Sequence, residues 1–343
     1  MPENLTVVIA SPLEEQHLAR IRSVDPRIEV LYDPELVPTP RYVADHKGRH
    51  PELDGEQQDR WRRMLARADV LFDFDWFEPA LLRQNAPRLS WVQATSSGIG
   101  QVIARNRFDP EGLLLTTAAG VHAIPLAEFA VTGILHFVKE LPLLARMKSE
   151  RHWERYTARQ LAGMSVMVVG LGTVGRRTVA SLAALGVDVT AVGRDGREYD
   201  VPTAARLGSI STMTSLLPSV DAVVLCCPLT DETRGLFGTA EFAALPVGAI
   251  LVNIARGGVV DESVMLEALA TGKLGGAALD VFETEPLPAQ SPFWSLPNVI
   301  VSPHSASTVS SENHLITKIF VDNLRRRLDG RELVNVYDVD RGY

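Results

Sequence analysis

Cysteine is nearly absent: the 343 residues hold two, Cys226 and Cys227, side by side in an apolar run. Adjacent cysteines cannot staple distant segments, so a disulfide framework is excluded and stability must come from buried cores. A basic balance is missing as well. Lys and Arg number 34 against 42 Asp and Glu, a net charge of −8, and no clustered Lys/Arg stripe marks a nucleic-acid footprint. A few local arginines still suffice to bind a small anion. The opening MPENLTVVIASPLEE lacks a basic n-region and a cleavage-like site. The longest apolar tract, Leu113 to Val138, is broken by His122, Pro125, Glu128 and His136 and makes a poor membrane span. There is no repeat and no low-complexity tract. These absences point to a cytoplasmic protein.

What is present is ordinary for a globular chain: 46% hydrophobic and 22% charged residues, with a mean hydropathy of +0.05. The length exceeds the usual single-core limit, so two domains are expected. TVVIASPL reads as a strand, and Glu14 to Ile21 as a helix with Leu18 and Ile21 on one face. Pro34, Pro38 and Pro40 then break any long element, and the polar run from Tyr42 to Asp59 reads as a surface excursion. ADVLFDF, a helix from about Glu78, LSWVQAT and the polar SSGIG continue the alternation, which implies a parallel sheet.

Further on the alternation becomes regular. SVMVVG, VDVTAVG, DAVVLCC, GAILVNI, GGAALDV and NVIVS are six short β-branched runs separated by helical or loop segments, enough for a doubly wound nucleotide-binding sheet. The tail from Ser311 to Leu328 has helical spacing, and LVNVYDV returns to strand-like character. The expected fold is α/β, with two Rossmann-like domains built on doubly wound parallel sheets. A dinucleotide-binding domain, 116–302, is inserted into a substrate domain built from 1–115 and 303–343.

VMVVGLGTVGRR holds Gly170, Gly172 and Gly175 in GxGxxG spacing, directly after a strand and before a helical stretch from Arg176 to Leu185. The first glycine allows the tight turn, the second lets the backbone approach a pyrophosphate, and the third permits close helix-to-strand packing. The helix N-terminus adds amide donors for the phosphates. An NAD site places Asp or Glu at the end of the next strand, about 20 residues on. Here VDVTAVGRDGR ends in Gly193 with Arg194 following, and a guanidinium suits the 2′-phosphate of NADP, with Arg197 as a second clamp. Asp195 could serve an NAD ribose if the strand ran two residues longer. NADP(H) is therefore expected, with NAD(H) as the alternative.

LVNIARGG, ALDVFETEPLP and VSPHSAS carry Arg256, Asp280 with Glu285, and His304 at the ends of expected strands. Together with the glycine loop, CCPLTDETRGLF, SPFWSLPNVIVSPH and the closing NLRRRLDGRELVNVYDVDRGY, they give a chain that resembles the D-isomer-specific 2-hydroxyacid dehydrogenases, including glyoxylate/hydroxypyruvate reductase and phosphoglycerate dehydrogenase. By that resemblance Arg256 grips the substrate carboxylate and orients its carbonyl. Glu285 would accept a hydrogen bond from His304, and protonated His304 would donate to the carbonyl oxygen as hydride reaches C2. Asp280 would hold the nicotinamide carboxamide. The resemblance also implies cofactor contacts from Thr173, Val174, Gly193, Cys227, Pro228, Thr233, Ile254, Ala255 and His304. WVQATSSGIG resembles the family's substrate loop, with Ser97 and Gly98 supplying amides, although Gly100 stands where Asp is common. Ser305 and Ala306 stand where the family has apolar-then-glycine.

Phe74, Trp76 and Phe77 read either as pocket wall or as plain core, and His122 and Glu128 as structural residues. His46 and His50 in HKGRH lack a third ligand and read as a solvated loop, so no metal is expected. The resemblance implies reduction of a small 2-oxo acid such as glyoxylate or hydroxypyruvate, in an interdomain cleft, by a homodimer joined through the nucleotide domain. Two alternatives stand: an NAD-dependent phosphoglycerate-type dehydrogenase, and a nucleotide-sensing corepressor without turnover. A short-chain dehydrogenase is excluded because no tyrosine has a lysine four residues later. A methyltransferase would leave Arg256, Glu285 and His304 without a role.

Overall fold

The structure is a computed structural model that describes residues 4–106, 108 and 110–338; the last residues of the closing motif, 339–343, and the first three lie outside it. The chain divides into two compact units, Met1–His122 with Thr308–Tyr343, and Ala123–Ser307. The divisions thus fall later than the expected 115/116 and 302/303. Thr116 still pairs with Gln93 in the first unit's sheet, and His122 is bonded to Ser97 and Glu312 there. Ser305 and Ala306 donate to Asp280 in the second, so His304 lies in the same unit as the glycine loop.

In the first unit β1 (Leu5–Ile9), β2 (Ile28–Leu31), β3 (Val70–Phe72), β4 (Trp91–Gln93) and β5 (Leu114–Thr116) form a sheet in the order β2-β1-β3-β4-β5, every pair parallel. Helices α1 (Glu15–Arg22), α2 (Gly55–Arg67), α3 (Leu82–Asn85) and α4 (Gly100–Asn106) come from its N-terminal part. Strand alternation sorts side chains to two faces. Val7, Ile9, Val70, Phe72 and Trp91 enter one core, and Val8, Leu71 and Val92 enter the other. Both faces are covered, which is why these strands read as continuous apolar runs. The polar residues here are paired: Trp91 Nε1 donates to Thr116 Oγ1 at 2.8 Å, which donates to Gln93 Oε1 at 2.8 Å.

Two expectations fail in this unit, and a third holds only in part. The helix from Glu78 is a 3-10 turn, Pro79–Leu81, followed by the single turn of α3. LVNVYDV makes no strand, only a bridge between Thr116 and Val336, because Asn335 adopts φ +58° and turns its amide to Ala119 O. The polar run after Tyr42 lies mostly at the surface, as expected, but turns inward at Ala44 and Asp45. Asp45 is buried and takes Arg41 and the Gly48 amide, which hold its carboxyl well below the usual range despite burial, and His46 is packed inward.

The second unit holds α5 (Ala123–Val138), α6 (Leu141–Glu150), β6 (Ser165–Val169), α7 (Thr173–Ala184), β7 (Asp188–Gly193), β8 (Arg206–Ser209), α8 (Ile210–Leu216), β9 (Ala222–Leu225), α9 (Thr239–Ala244), β10 (Ala249–Asn253), α10 (Glu262–Ala270), β11 (Leu274–Leu279) and β12 (Val299–Val301). Its seven parallel strands run β12-β11-β10-β9-β6-β7-β8, one more than the six expected. The additional strand is edge β8, whose RLGS carries no apolar alternation. Val166 and Val168 of β6 face one core, and Met167 and Val169 face the other. The order reverses at β6, so the carboxyl ends of β6 and β9 flank a switch point where such sheets take ligands. The last helix, α11 (Glu312–Leu328), belongs to the first unit. Among the described residues no helix is long and apolar enough to cross a membrane.

Candidate active site

The glycine loop is built to be approached. Gly170 ends β6 at φ +102°, and a Cβ there would lie 2.7 Å from the Cys227 amide. A Cβ on Gly175 would lie 1.7 Å from the Gly170 carbonyl oxygen, so only glycine lets α7 start this close to the strand. Gly172 caps α7, whose first residues Thr173 and Val174 follow; Gly172 and Thr173 are exposed, with the helix N-terminus open to an anion. Cys227 packs against Gly170, and burial pushes its thiol up to about 11. Both cysteines are therefore protonated packing groups.

Strand β7 stops at Gly193, under the ring of Tyr199. The Arg194 amide donates to the Tyr199 hydroxyl at 3.1 Å, and the guanidiniums of Arg197 and Arg176 lie 5.3 and 6.0 Å from the ring centroid. Asp195 lies beyond the strand and is engaged elsewhere, 2.5 Å from Ser211 Oγ at the start of α8. That hydroxyl bond lowers its pKa. Tyr199 and Arg176 were not singled out in the sequence. Arg176 joins the glycine loop to the 199–200 segment, with Nε donating to Leu171 O at 3.1 Å and Nη1 to Asp200 O. Both lie outside the GxGxxG pattern, so no motif points to them.

Beyond β9, Thr233 donates to Pro228 O at 2.6 Å, which shapes the loop from Pro228 but occupies the hydroxyl. Ile254 and Ala255 are buried past β10, and Ala255 N is held by Asn253 Oδ1 at 3.0 Å. Arg256 follows with its Nη1 2.6 Å from Ala255 O. Gly257 packs on the Phe282–Glu283 peptide so closely that a Cβ would lie 2.0 Å from Phe282 C, which places the Arg256 loop beside the loop carrying Glu285.

His304 Nδ1 is 2.8 Å from Glu285 Oε2, and Glu285 Oε1 accepts the Phe282 amide at 3.0 Å. With the carboxylate accepting from Nδ1–H, the ring is held in one orientation. His304 sits at φ +55°, a left-handed backbone that non-glycine residues keep only where surroundings impose it. Asp280 imposes it: its Oδ1 accepts Ser302 Oγ at 2.6 Å, the Ser305 amide at 2.8 Å and the Ala306 amide at 2.9 Å. Asp280 thus buttresses the His304 turn, a role the sequence reading did not give it. The departures at Ser305 and Ala306 bear on side chains, whereas this buttress runs through amides.

In the first unit Ser97 and Gly98 are exposed, and among the described residues neither amide donates to a protein group. Ser97 Oγ lies 3.1 Å from His122 Nδ1, whose Nε2 lies 3.1 Å from Glu312 Oε1. Gly100 begins α4. Phe74, Trp76 and Phe77 pack against the core as an aromatic cluster, with Trp76 donating to Leu36 O at 3.1 Å and the His50 ring 4.9 Å from Trp76. Glu128 is exposed on α5. Among the described residues no group of His, Cys, Asp and Glu could hold a metal.

Residues 131–306 match the family described as D-isomer specific 2-hydroxyacid dehydrogenase, NAD binding domain. The chain is 32% identical over 75% of its length to a D-3-phosphoglycerate dehydrogenase of Archaeoglobus fulgidus, but spans only 49% of that relative. It is 30% identical to glyoxylate/hydroxypyruvate reductase B of Citrobacter koseri, covering 82% of this chain and 88% of the relative. Among solved structures, a D-isomer specific 2-hydroxyacid dehydrogenase of Xanthobacter autotrophicus Py2 in complex with NADPH and MES is similar over 99% of this chain and all of that one, with 27% identity and a TM-score of 0.77.

Proposed function

The chain belongs to the D-isomer specific 2-hydroxyacid dehydrogenase family, and from that premise we propose that it reduces a small 2-oxo acid, glyoxylate or hydroxypyruvate, to the D-2-hydroxy acid with NADP(H). The observation that carries this reading is the 2.8 Å pairing of His304 with Glu285, at the carboxyl ends of the sheet that also presents the glycine loop. An intact acid/base pair favours turnover over a purely nucleotide-sensing role.

The residues fit a dinucleotide. Gly170 and Gly175 leave a cradle that a Cβ would fill, the open N-terminus of α7 takes the pyrophosphate, and the guanidiniums of Arg194 and Arg197, just past β7, suit a 2′-phosphate in charge and shape. NAD(H) remains the weaker alternative, since Asp195 is bonded to Ser211. The bound nicotinamide supplies the hydride. Glu285 holds the His304 ring and stabilises its protonated form, His304 Nε2 delivers the proton to the carbonyl oxygen, and Arg256 grips the carboxylate and polarises the carbonyl. The unengaged amides at Ser97 and Gly98 serve the substrate carboxylate.

The relatives named for glyoxylate and hydroxypyruvate support the substrate class, and the NADPH complex of a similar structure supports the cofactor. The composition and the two free thiols suit the cytoplasm. The exposed Trp153, Tyr156, Leu141 and Leu144 of the second unit suit a homodimer. NADPH oxidation measured with glyoxylate, hydroxypyruvate, pyruvate and bulkier 2-oxo acids tests the reaction; no turnover with any of them would overturn it.

A further inference from the structure

A second reactive arrangement lies wholly within the first unit. The loop past β4 presents Ser97, the segment past β5 presents His122, and α11 begins at Glu312. Strands β4 and β5 are paired, so the first two residues meet beyond their carboxyl ends, where open α/β sheets bind ligands. Ser97 Oγ lies 3.1 Å from His122 Nδ1, and His122 Nε2 lies 3.1 Å from Glu312 Oε1.

The direction of these bonds follows from the carboxylate, which only accepts. Nε2 therefore carries the hydrogen of the neutral ring, and Nδ1 presents its lone pair to the Ser97 hydroxyl proton. A serine bonded to a histidine that a carboxylate orients is an activated nucleophile, whichever ring nitrogen faces the hydroxyl. Exposure is graded to match. Ser97 is exposed, whereas the side chains of His122 and Glu312 are 15% and 9% exposed. Glu312 Oε2 is buried without a partner, so among the described residues the carboxylate bonds to His122 alone. Its charge stabilises the imidazolium that forms when Ser97 gives up its proton.

Near the hydroxyl, the amides of Ser97 and Gly98 donate to no protein group among the described residues. Two unengaged amides beside a nucleophile suit the negative oxygen of a tetrahedral intermediate. The charge of Glu312 behind the ring opposes an anionic acyl chain, which favours a neutral one.

We propose that Ser97, His122 and Glu312 form an acyl-transfer site that hydrolyses esters of neutral carboxylic acids, an activity independent of the reductase reading above. Ser97 Oγ bonds to the acyl carbon while its proton passes to His122 Nδ1 and the carbonyl electron pair moves onto oxygen. Collapse breaks the bond to the leaving alcohol oxygen, which takes the proton from Nδ1. Water then attacks the acyl-serine and gives a proton to Nδ1, and release of the carboxylic acid returns that proton to Ser97 Oγ. No electrons are gained or lost overall. Ser97 and His122 are the catalytic residues, and Glu312 is a positioning residue that acts through the ring.

The test follows p-nitrophenolate release from p-nitrophenyl acetate by the full chain without nicotinamide cofactor. The wild type is expected to turn over, and Ser97→Ala and His122→Gln should each lower kcat by about 10²-fold or more. Glu312→Leu should lower kcat with KM unchanged, and Glu312→Gln, whose amide oxygen still accepts from Nε2, should recover most of the loss. Phenylmethylsulfonyl fluoride, which sulfonylates activated serines, should label Ser97 in the wild type, as read by peptide mass mapping. Wild-type hydrolysis no faster than that of Ser97→Ala overturns the proposal, as does a wild type that leaves Ser97 unlabelled. Equal recovery failure in Glu312→Gln and Glu312→Leu, or a shift in KM alone, removes Glu312 from its positioning role. If His122→Gln does not fold, the labelling of wild-type Ser97 decides: a stoichiometric label there supports the site, and its absence overturns it.

Discussion

Glu285 and His304 meet at 2.8 Å although they leave different strands, Glu285 after β11 and His304 after β12. Neither loop alone fixes the contact. Phe282 donates its amide to the second oxygen of Glu285, and Asp280 holds the turn on either side of His304. Four carboxylate contacts thus position the pair.

His304→Gln should keep cofactor affinity but lower kcat by about 10² or more, the usual scale of lost acid/base catalysis. Glu285→Gln should lower kcat by a smaller factor, because the ring keeps a hydrogen-bonding partner but loses its charge stabilisation. Steady-state kinetics alongside cofactor titration by fluorescence separate the two effects. Unchanged turnover in His304→Gln would remove it from the mechanism.

The cofactor preference turns on the end of β7. Arg194→Ala should raise the Kd for NADPH by about 10-fold or more and leave NADH little changed, since a charge-assisted bond contributes about 1.5–3 kcal/mol. Equal effects on the two cofactors would count against a phosphate clamp at this position.

Legibility from sequence followed physical locality. The glycine loop could be read because strand, turn and helix are contiguous, and the His304, Glu285 and Arg256 segments because they lie in motifs. Edge strand β8 escaped because exposed RLGS buries no face. Tyr199 and the buttressing role of Asp280 escaped because each acts through contacts made only after folding: Asp280 Oδ1 reaches an amide 26 residues away. His46 was misread for the same reason. Polar composition around it suggested solvent, yet the neighbouring Asp45 is satisfied internally by Arg41 and Gly48, so the loop folds back on the sheet edge.

Stability should fall on mild acidification. Burial lowers the pKa of His17, opposed in part by Glu14, and burial lowers that of His136, both from an ordinary value of 6.5. Each ring is therefore easier to protonate in the unfolded chain. The unfolded state binds more protons below about pH 6.5, so stability is retained above that value and lost as pH falls through it. Thermal unfolding followed from pH 7 to 5 should show a falling midpoint, with a shallower fall in His17→Gln/His136→Gln. An identical slope in that double variant would show that other groups govern the acid limb.

The proposed dimer makes a separate demand on the second unit. Trp153 is 96% exposed, and Leu141, Leu144 and Tyr156 are exposed on or near the same helix, α6. So large an indole left in water loses the burial that tryptophan usually gains, and interfaces concentrate their binding energy in such anchors. Trp153→Asp should weaken self-association by about 10²-fold or more, given the 2 kcal/mol or greater cost at a hot spot and 1.4 kcal/mol per factor of ten. Sedimentation equilibrium across protein concentration reads this directly. A wild type that stays monomeric at micromolar concentration would refute the dimer, and a variant that dimerises as tightly as the wild type would place its interface elsewhere.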